Sequence, residues 1–143
     1  MTQIEMTVQY EPTSLKRHRH RLKGGTYDPS KKEKDAFLSM VLNTLDQDTF
    51  VKMTKPIKCT LHFYSKRPKN HYKSGKKSEE LKENAPKYNT NNKDLDNMVK
   101  FVLDALNYTL YEDDRQIIEI HCIKSYSPTN TGYIVMKFEE LES

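Results

Sequence analysis

The sequence predicts an α+β fold, with one mixed β-sheet of about four strands and two main helices packed on it. Residues 4–10 and 57–63 alternate apolar with polar side chains, as strands with one buried face do. Two further apolar runs, 117–123 and 133–138, lie near the C-terminal end. Two segments between these runs carry apolar residues at helical spacing. The predicted order is therefore β-α-β-loop-α-β-β.

Length and composition predict a single domain over residues 1–143. The chain is 35% hydrophobic and 31% charged, so its core is modest and a dimer interface would supplement it. Cys59 and Cys122 lie in apolar runs and are expected to be buried free thiols. No Cys/His spacing typical of a zinc site is present. Since the sequence has no long apolar run and no signal-like segment, we expect no membrane insertion and a cytoplasmic location.

Positive charge is concentrated in the first two thirds of the chain, where two basic loops are predicted. Residues 51–100 carry thirteen Lys or Arg against five Asp or Glu, whereas residues 101–143 carry three against eight. One basic loop spans 13–27, and a long flexible basic loop spans 65–92 with almost no apolar residues. Such loops suit phosphate contacts, although a solvated surface is the ordinary alternative. The candidate DNA-binding residues are Lys16, Arg17, Arg19, Arg21, Lys66, Arg67, Lys69, Lys73 and Lys76.

Cap and turn residues predict where the elements begin and end. The first helix starts after Asp28 or Ser30 and ends near Asp46. The polar turn at 127–132 contains Pro and Gly, and it predicts that the last two strands pair as a hairpin.

The segment after Asp94 predicts the helix around which the fold is organised. Six apolar residues fall on one broad face, and charged residues form a narrow polar stripe beside it. Asp94 is placed to cap the N-terminus, and Asn107 is placed to cap the C-terminus. The apolar face consists of Leu95, Met98, Val99, Val102, Leu103 and Leu106.

Acidic residues occur at both ends of this helical segment. Asp94 and Asp96 begin it, and Glu112-Asp113-Asp114 precedes the next apolar strand. Carboxylates that folding brings together repel each other unless a cation neutralises them, and Mg²⁺ prefers oxygen ligands. Spacing alone leaves open the simpler interpretation of a helix cap and a solvated acidic turn.

A longer pattern resembles the RusA-like Holliday-junction resolvases. The pattern consists of Asp94-Leu95-Asp96-Asn97-x-x-Lys100-x-x-x-Asp104-Ala105-Leu106-Asn107, then Asp113-Asp114-x-Gln116-Ile117, with weaker similarity at 63–68 and 123–124. Lys93 stands where many relatives have Pro, and no Gly follows Asn107. That family comprises small dimeric Mg²⁺-dependent endodeoxyribonucleases that are widespread in phages and prophages.

The resemblance implies an active site and a function. Asp94, Asp96 and Asp114 would hold Mg²⁺, or Mn²⁺ in its place, with Asp113 as a possible fourth acid. Lys100 would offset charge on the phosphate, although a salt bridge to Asp96 is its simpler role; Asp104 is expected to be structural. The implied function is Mg²⁺-dependent resolution of Holliday junctions in DNA recombination and repair by a homodimer.

Two other functions are compatible with the sequence. The protein could bind branched DNA, such as four-way junctions, through its basic loops without cutting it. It could also be an interaction module whose acidic turn binds a basic partner. Metal-dependent cleavage separates the resolvase from both, because neither alternative involves hydrolysis.

Overall fold

A computed structural model describes residues 2–16, 19–20 and 25–142, with the backbone alone at 19, 20 and 26. It confirms the α+β prediction: four strands form one mixed sheet, and two helices accompany it. Two further strands of two residues each pair with one another inside the basic loop. The elements are β1 (Gln3–Val8), β2 (Arg19–His20), β3 (Thr26–Tyr27), α1 (Lys31–Thr44), β4 (Ile57–Ser65), α2 (Leu95–Leu106), β5 (Ile117–Tyr126) and β6 (Tyr133–Glu140).

The sheet order is β1-β6-β4-β5, so the predicted hairpin between the last two strands is wrong. Strand β4 lies between them, parallel to β5 and antiparallel to β6. The 127–132 turn crosses the end of β4, where the Ser127 N–H donates to the Ser65 carbonyl at 2.7 Å. The sequence of a turn shows that the chain reverses, but it does not show which strand becomes the neighbour.

The core lies between the two helices and one face of the sheet. Alternate residues of β4 are fully buried on that face, including Ile57, Leu61 and Phe63. Helix α2 buries four of the six residues of its predicted apolar face, Met98, Val99, Val102 and Leu106, together with Phe101 and Ala105, which were not predicted; Leu95 and Leu103 are half-buried. Helix α1 contributes Phe37 and Val41. These contacts fix α2 against the sheet, and α2 carries the acids of the motif at its two ends.

The two helices are also joined by a charged contact at their surface. Lys34 of α1 binds Asp28 and Asp104, the latter at 2.5 Å. Burial lowers the pKa of Lys34, but its hydrogen bonds to the two carboxylates raise it more, so the net shift is upward. Asp104 thus links α2 to α1 through Lys34, and its structural role stays a prediction.

The long basic loop at 65–92 is attached to the domain at both ends in this structure. The Lys66 N–H donates to the Glu11 carboxylate at 3.0 Å, and the Asn89 side chain donates to the Ser125 carbonyl at 2.9 Å. Within the loop, Tyr72 and Leu81 form an isolated antiparallel bridge. The loop therefore starts and ends beside the C-terminal end of β5.

The remaining predictions about the fold concern cysteines and membranes. Cys59 is buried and Cys122 is half-buried, and both are free thiols. Within the described part of the chain, no helix has the length and apolar character needed to cross a membrane.

Candidate active site

At the N-terminal end of α2, two carboxylates are exposed and unpaired. Asp94 is the N-cap residue, yet its side chain makes no capping hydrogen bond, and Asp96 lies in the first turn. In the described part of the chain, neither carboxylate has a hydrogen-bond or ion-pair partner. Both are therefore available to a ligand, and their charge stays near the positive end of the helix dipole.

Lysines and backbone carbonyls hold this end of α2 in place. The Lys124 ammonium group of β5 donates to the carbonyls of Lys93, at 2.8 Å, and Asn91, at 3.3 Å. The Lys93 ammonium group donates to the Pro12 carbonyl at 2.8 Å. Since Pro12 leads directly into the basic loop at 13–27, this loop begins beside Asp94.

At the C-terminal end of α2, amide side chains position the acidic turn. The Asp114 N–H donates to Asn107 Oδ1 at 3.1 Å. The Asp113 N–H donates to Gln116 Oε1 at 2.9 Å, and Gln116 Nε2 donates to the carbonyls of Met53 and Lys55. The two amides of the motif therefore fix the backbone that carries the two acids.

The two acids of this turn influence each other's ionisation. Burial raises the pKa of Asp114, and the hydrogen bond to Asp113 and its charge raise it further. The N–H of Arg115 lowers the pKa of Asp113 by donating to its carboxylate. Opposed shifts of this kind are expected for two neighbouring carboxylates, because ionisation of one disfavours ionisation of the other.

The structure of one chain does not bring the two acid groups together. Helix α2 has 12 residues and is therefore about 18 Å long. Asp94 and Asp96 lie at its start, whereas Asp113 and Asp114 lie beyond its end. Among the described residues, no group of three or more His, Cys, Asp or Glu side chains is arranged to hold a metal.

Lys100 lies between the two groups, one turn after Asp96 on the exposed side of α2. It forms no ion pair in the part of the chain that the structure describes, so the simpler role of a salt bridge to Asp96 is not realised. Its ammonium group is free to meet a phosphate.

The candidate DNA-binding residues fall into three groups. Lys66, Lys69 and Lys76 are exposed and have no ion-pair partner among the described residues. Other cations are engaged: Lys16 with Glu33 at 2.9 Å, Lys73 with Glu80 at 3.2 Å, and Arg67 above the Tyr126 ring at 4.6 Å. Arg17 and Arg21 lie outside the described residues, as does the side chain of Arg19.

Three further residues position the site although the sequence pattern predicted no role for them: Lys124, Asn91 and Gln116. Lys124 and Asn91 fix the approach to Asp94, and Gln116 fixes the acidic turn. The signal for Gln116 was its place in the motif, three residues after Asp113, where a side chain can return to the backbone of an N-cap. No comparable signal pointed to Asn91.

The sequence motif agrees with the comparison with known families. The model of the endodeoxyribonuclease RusA family matches residues 9–136. This chain therefore belongs to the RusA family of endodeoxyribonucleases, as its motif predicted.

A protein of Bacillus subtilis is also similar over most of the chain. It is the uncharacterized protein YqaN of Bacillus subtilis (strain 168), which is 32% identical over 128 residues. The match covers 87% of this chain and 88% of that protein.

Proposed function

We propose that this protein is a Mg²⁺-dependent homodimer that resolves four-way DNA junctions in recombination and repair by hydrolysing phosphodiester bonds. The observation that carries the proposal is a difference in hydrogen bonding between the amide and the acidic residues of the motif. Its amides, Asn107 and Gln116, are used in structural hydrogen bonds, whereas Asp94 and Asp96 are left exposed and unpaired. A carboxylate pair kept free of partners suits a divalent cation.

The donor set fits a hard divalent metal. Asp94 and Asp96 would supply carboxylate oxygens, and Asp114, with Asp113 beside it, would supply the others. When bound, the metal would activate water and neutralise charge on the phosphate; Mn²⁺ has similar ligand preferences. Lys100 would hold the phosphate of the strand to be cut, since its ammonium group is exposed on the same helix.

The distance between the acids argues for a homodimer. Because Asp96 and Asp114 lie near opposite ends of an α2 about 18 Å long, one chain cannot use both on one ion. A two-fold axis can place the acidic turn of one chain beside Asp94 and Asp96 of the other. It creates two equivalent sites, as the cutting of two opposed strands requires.

Both basic loops flank the proposed site. The 13–27 loop begins beside Asp94 through Pro12, and the 65–92 loop ends beside it through Asn89 and Asn91. Cations there would contact the phosphates of junction arms. Replacing Lys66, Lys69 and Lys76 together by Ala should flatten the salt dependence of junction binding, by about 0.9 in log–log slope per lost phosphate contact.

The direct test is cleavage of a labelled synthetic four-way junction, with linear duplex DNA of the same sequence as control. We expect paired nicks in opposed strands of the junction with Mg²⁺ and none with EDTA. Mg²⁺ should also raise the melting temperature of the protein, because it binds only the folded form. Junction binding without cleavage at any Mg²⁺ or Mn²⁺ concentration would support the non-catalytic alternative.

A mixing experiment tests whether two chains share each site. Asp96→Asn and Asp114→Asn should each be inactive alone. After joint refolding, half of the dimers should be mixed, and each mixed dimer has one site with both acids intact. About a quarter of the parent's strand-nicking activity should return, as single rather than paired nicks, because a mixed dimer has one intact site. If both acids act within one chain, every site keeps one substitution and the mixture stays inactive.

A further inference from the structure

A cavity of about 740 Å³ lies between the long basic loop at 65–92 and the turn at 127–132. We call it the tyrosine cavity, because Tyr72 and Tyr126 line it. Leu81 lines it as well, is 45% exposed and is the only Leu, Ile, Val or Met in the loop. The volume is that of a small-molecule site, so the cavity can hold one nucleotide but not a duplex.

One wall of the tyrosine cavity is held in place by contacts within the protein. The Arg67 guanidinium lies above the Tyr126 ring at 4.6 Å, and its Nη1 donates to the Pro86 carbonyl at 2.8 Å and to His71 Nδ1 at 3.2 Å. The His71 ring meets the Tyr126 ring edge-on, with the two centroids 5.0 Å apart. This wall therefore exists before a ligand arrives, which lowers the conformational cost of binding.

A second cavity, of about 620 Å³, adjoins the first at Tyr72 and is lined by three lysines. In this lysine cavity, Lys73 pairs with Glu80 at 3.2 Å, whereas Lys69 and Lys82 have no ion-pair partner within the part of the chain that the structure describes. Aromatic rings stack on nucleobases, and ammonium groups neutralise phosphates. The two adjoining cavities therefore match the two halves of a nucleotide.

The tyrosine cavity also contains groups that can bind the edge of a base. Glu79 and Asn130 line it, and neither side chain has a hydrogen-bond or ion-pair partner among the described residues. A carboxylate accepts a hydrogen bond from the amino group of cytosine, and an Asn side chain pairs with adenine. Thymine has no amino group, so it should fit this cavity least well.

The tyrosine cavity lies beside the proposed active site. Tyr126 is two residues beyond Lys124 on the same face of β5, which is about 7 Å along a strand. The Lys124 ammonium group binds the carbonyl of Lys93, directly before Asp94. A DNA strand that crosses Asp94 and Asp96 would therefore pass the cavity next to the bond that is cut.

From these observations we infer that the two cavities bind one unpaired nucleotide of the DNA, turned out of the helix beside the cleavage site. The base enters the tyrosine cavity and stacks on Tyr72, with Glu79 and Asn130 at its edge. Its phosphate meets Lys69 and Lys82 in the lysine cavity. The inference rests on the proposed function and deepens it, because this nucleotide would determine where a strand is cut.

Binding of short duplexes in EDTA tests the inference without cleavage. A duplex with a single bulged dC should bind at least about fivefold more tightly than the fully paired duplex of the same length, because only the bulged base is free to stack on Tyr72. A bulged dT should bind less tightly than a bulged dC. Equal affinities for the bulged dC and the paired duplex would overturn the inference.

Substitutions test which side chains are responsible. Tyr72→Leu keeps an apolar side chain but removes the ring, so it should remove the preference for the bulged dC. Tyr88→Leu is the matched control, because Tyr88 is 74% exposed in the same loop and lines neither cavity, and it should keep the preference. Glu79→Gln, at an exposed position, should narrow the difference between bulged dC and dT. Melting temperatures show whether each variant folds.

Photochemical cross-linking locates the base and separates this inference from the proposed function. With 5-iododeoxycytidine at the bulge, mass spectrometry should find the cross-link at Tyr72 or Tyr126. That cross-link in a protein that cuts no junction would support the nucleotide site and overturn the proposed hydrolysis. Metal-dependent cleavage of junctions, together with no cross-link in either cavity and an unchanged dC preference in Tyr72→Leu, would overturn the nucleotide site and leave the proposed function standing.

Discussion

The two ends of helix α2 carry the same kind of side chain in two different settings. At the N-terminal end, the backbone is fixed by Lys93 and Lys124, and the carboxylates of Asp94 and Asp96 have no hydrogen-bond or ion-pair partner among the described residues. At the C-terminal end, the Asp113 and Asp114 backbone is fixed by Asn107 and Gln116. Substitution of Asp94 or Asp96 should therefore affect activity alone. Changes in the turn that carries Asp113 and Asp114 should affect both activity and stability.

The largest effect is expected at the N-terminal end. Asp96→Asn should reduce metal-dependent junction cleavage by about 100-fold or more, since metal catalysis contributes several kcal/mol. Because Asp96 has no partner in the described structure, the melting temperature without metal should stay close to that of the parent. Quantitative cleavage and thermal melting measure the two properties.

Asp35→Asn is the matched control for this prediction. Asp35 is an exposed acid on α1 that pairs with Lys31 at 2.8 Å, and its loss should leave cleavage unchanged. Parent-level cleavage by Asp96→Asn would remove Asp96 from the proposed site.

The second largest effect is expected at the C-terminal end of α2, where a substitution should lower both stability and cleavage. Gln116→Ala removes the amide donor of the Met53 and Lys55 carbonyls, of which Met53 still accepts from the Glu112 N–H, and leaves the Asp113 N–H without its acceptor. We expect a loss of about 1–2 kcal/mol in the free energy of unfolding, together with weaker cleavage. Urea denaturation and the junction assay on one preparation test both. A variant as stable as the parent would show that the turn does not depend on Gln116.

Substitution of Tyr108 should raise the stability of the protein rather than lower it. It follows Asn107 with φ of +67°, a left-handed conformation that favours Gly, and its side chain is 67% exposed. Tyr108→Gly should stabilise the protein by about 1 kcal/mol, because relief of the backbone strain outweighs the packing of a largely exposed ring. Unfolding in urea provides the value, and a destabilised variant would mean that the Tyr108 ring makes a necessary contact.

The smallest effect is expected at Asp104, which lies on α2 between the two ends. Asp104→Asn removes one of the two carboxylates on Lys34, and Asp28 keeps the other contact. Because Asp104 is exposed, the loss of stability should be about 0.5 kcal/mol, with cleavage near the parent rate. A large fall in cleavage with unchanged melting would instead place Asp104 in the active site.

The sequence predicted the elements well and their arrangement less well. The motif identified α2 and its two end residues, because a strong apolar stripe and flanking polar residues are local properties. The position of β4 between β5 and β6 is a non-local property, and the 127–132 turn carries no information about it. The family pattern grouped Asp94, Asp96 and Asp114 as one ligand set, whereas the length of α2 in a single chain separates them.

The order of the strands also has a consequence for synthesis of the chain. Strand β6 is made after β1 and β4, yet it lies between them in the sheet. On the ribosome, β1 therefore has no strand partner in the sheet until residues 134–139 have emerged. A truncation before Tyr133 would remove one strand and leave a second without a partner, so nascent chains that stop there should be recognised by chaperones and proteases rather than folding into a smaller domain.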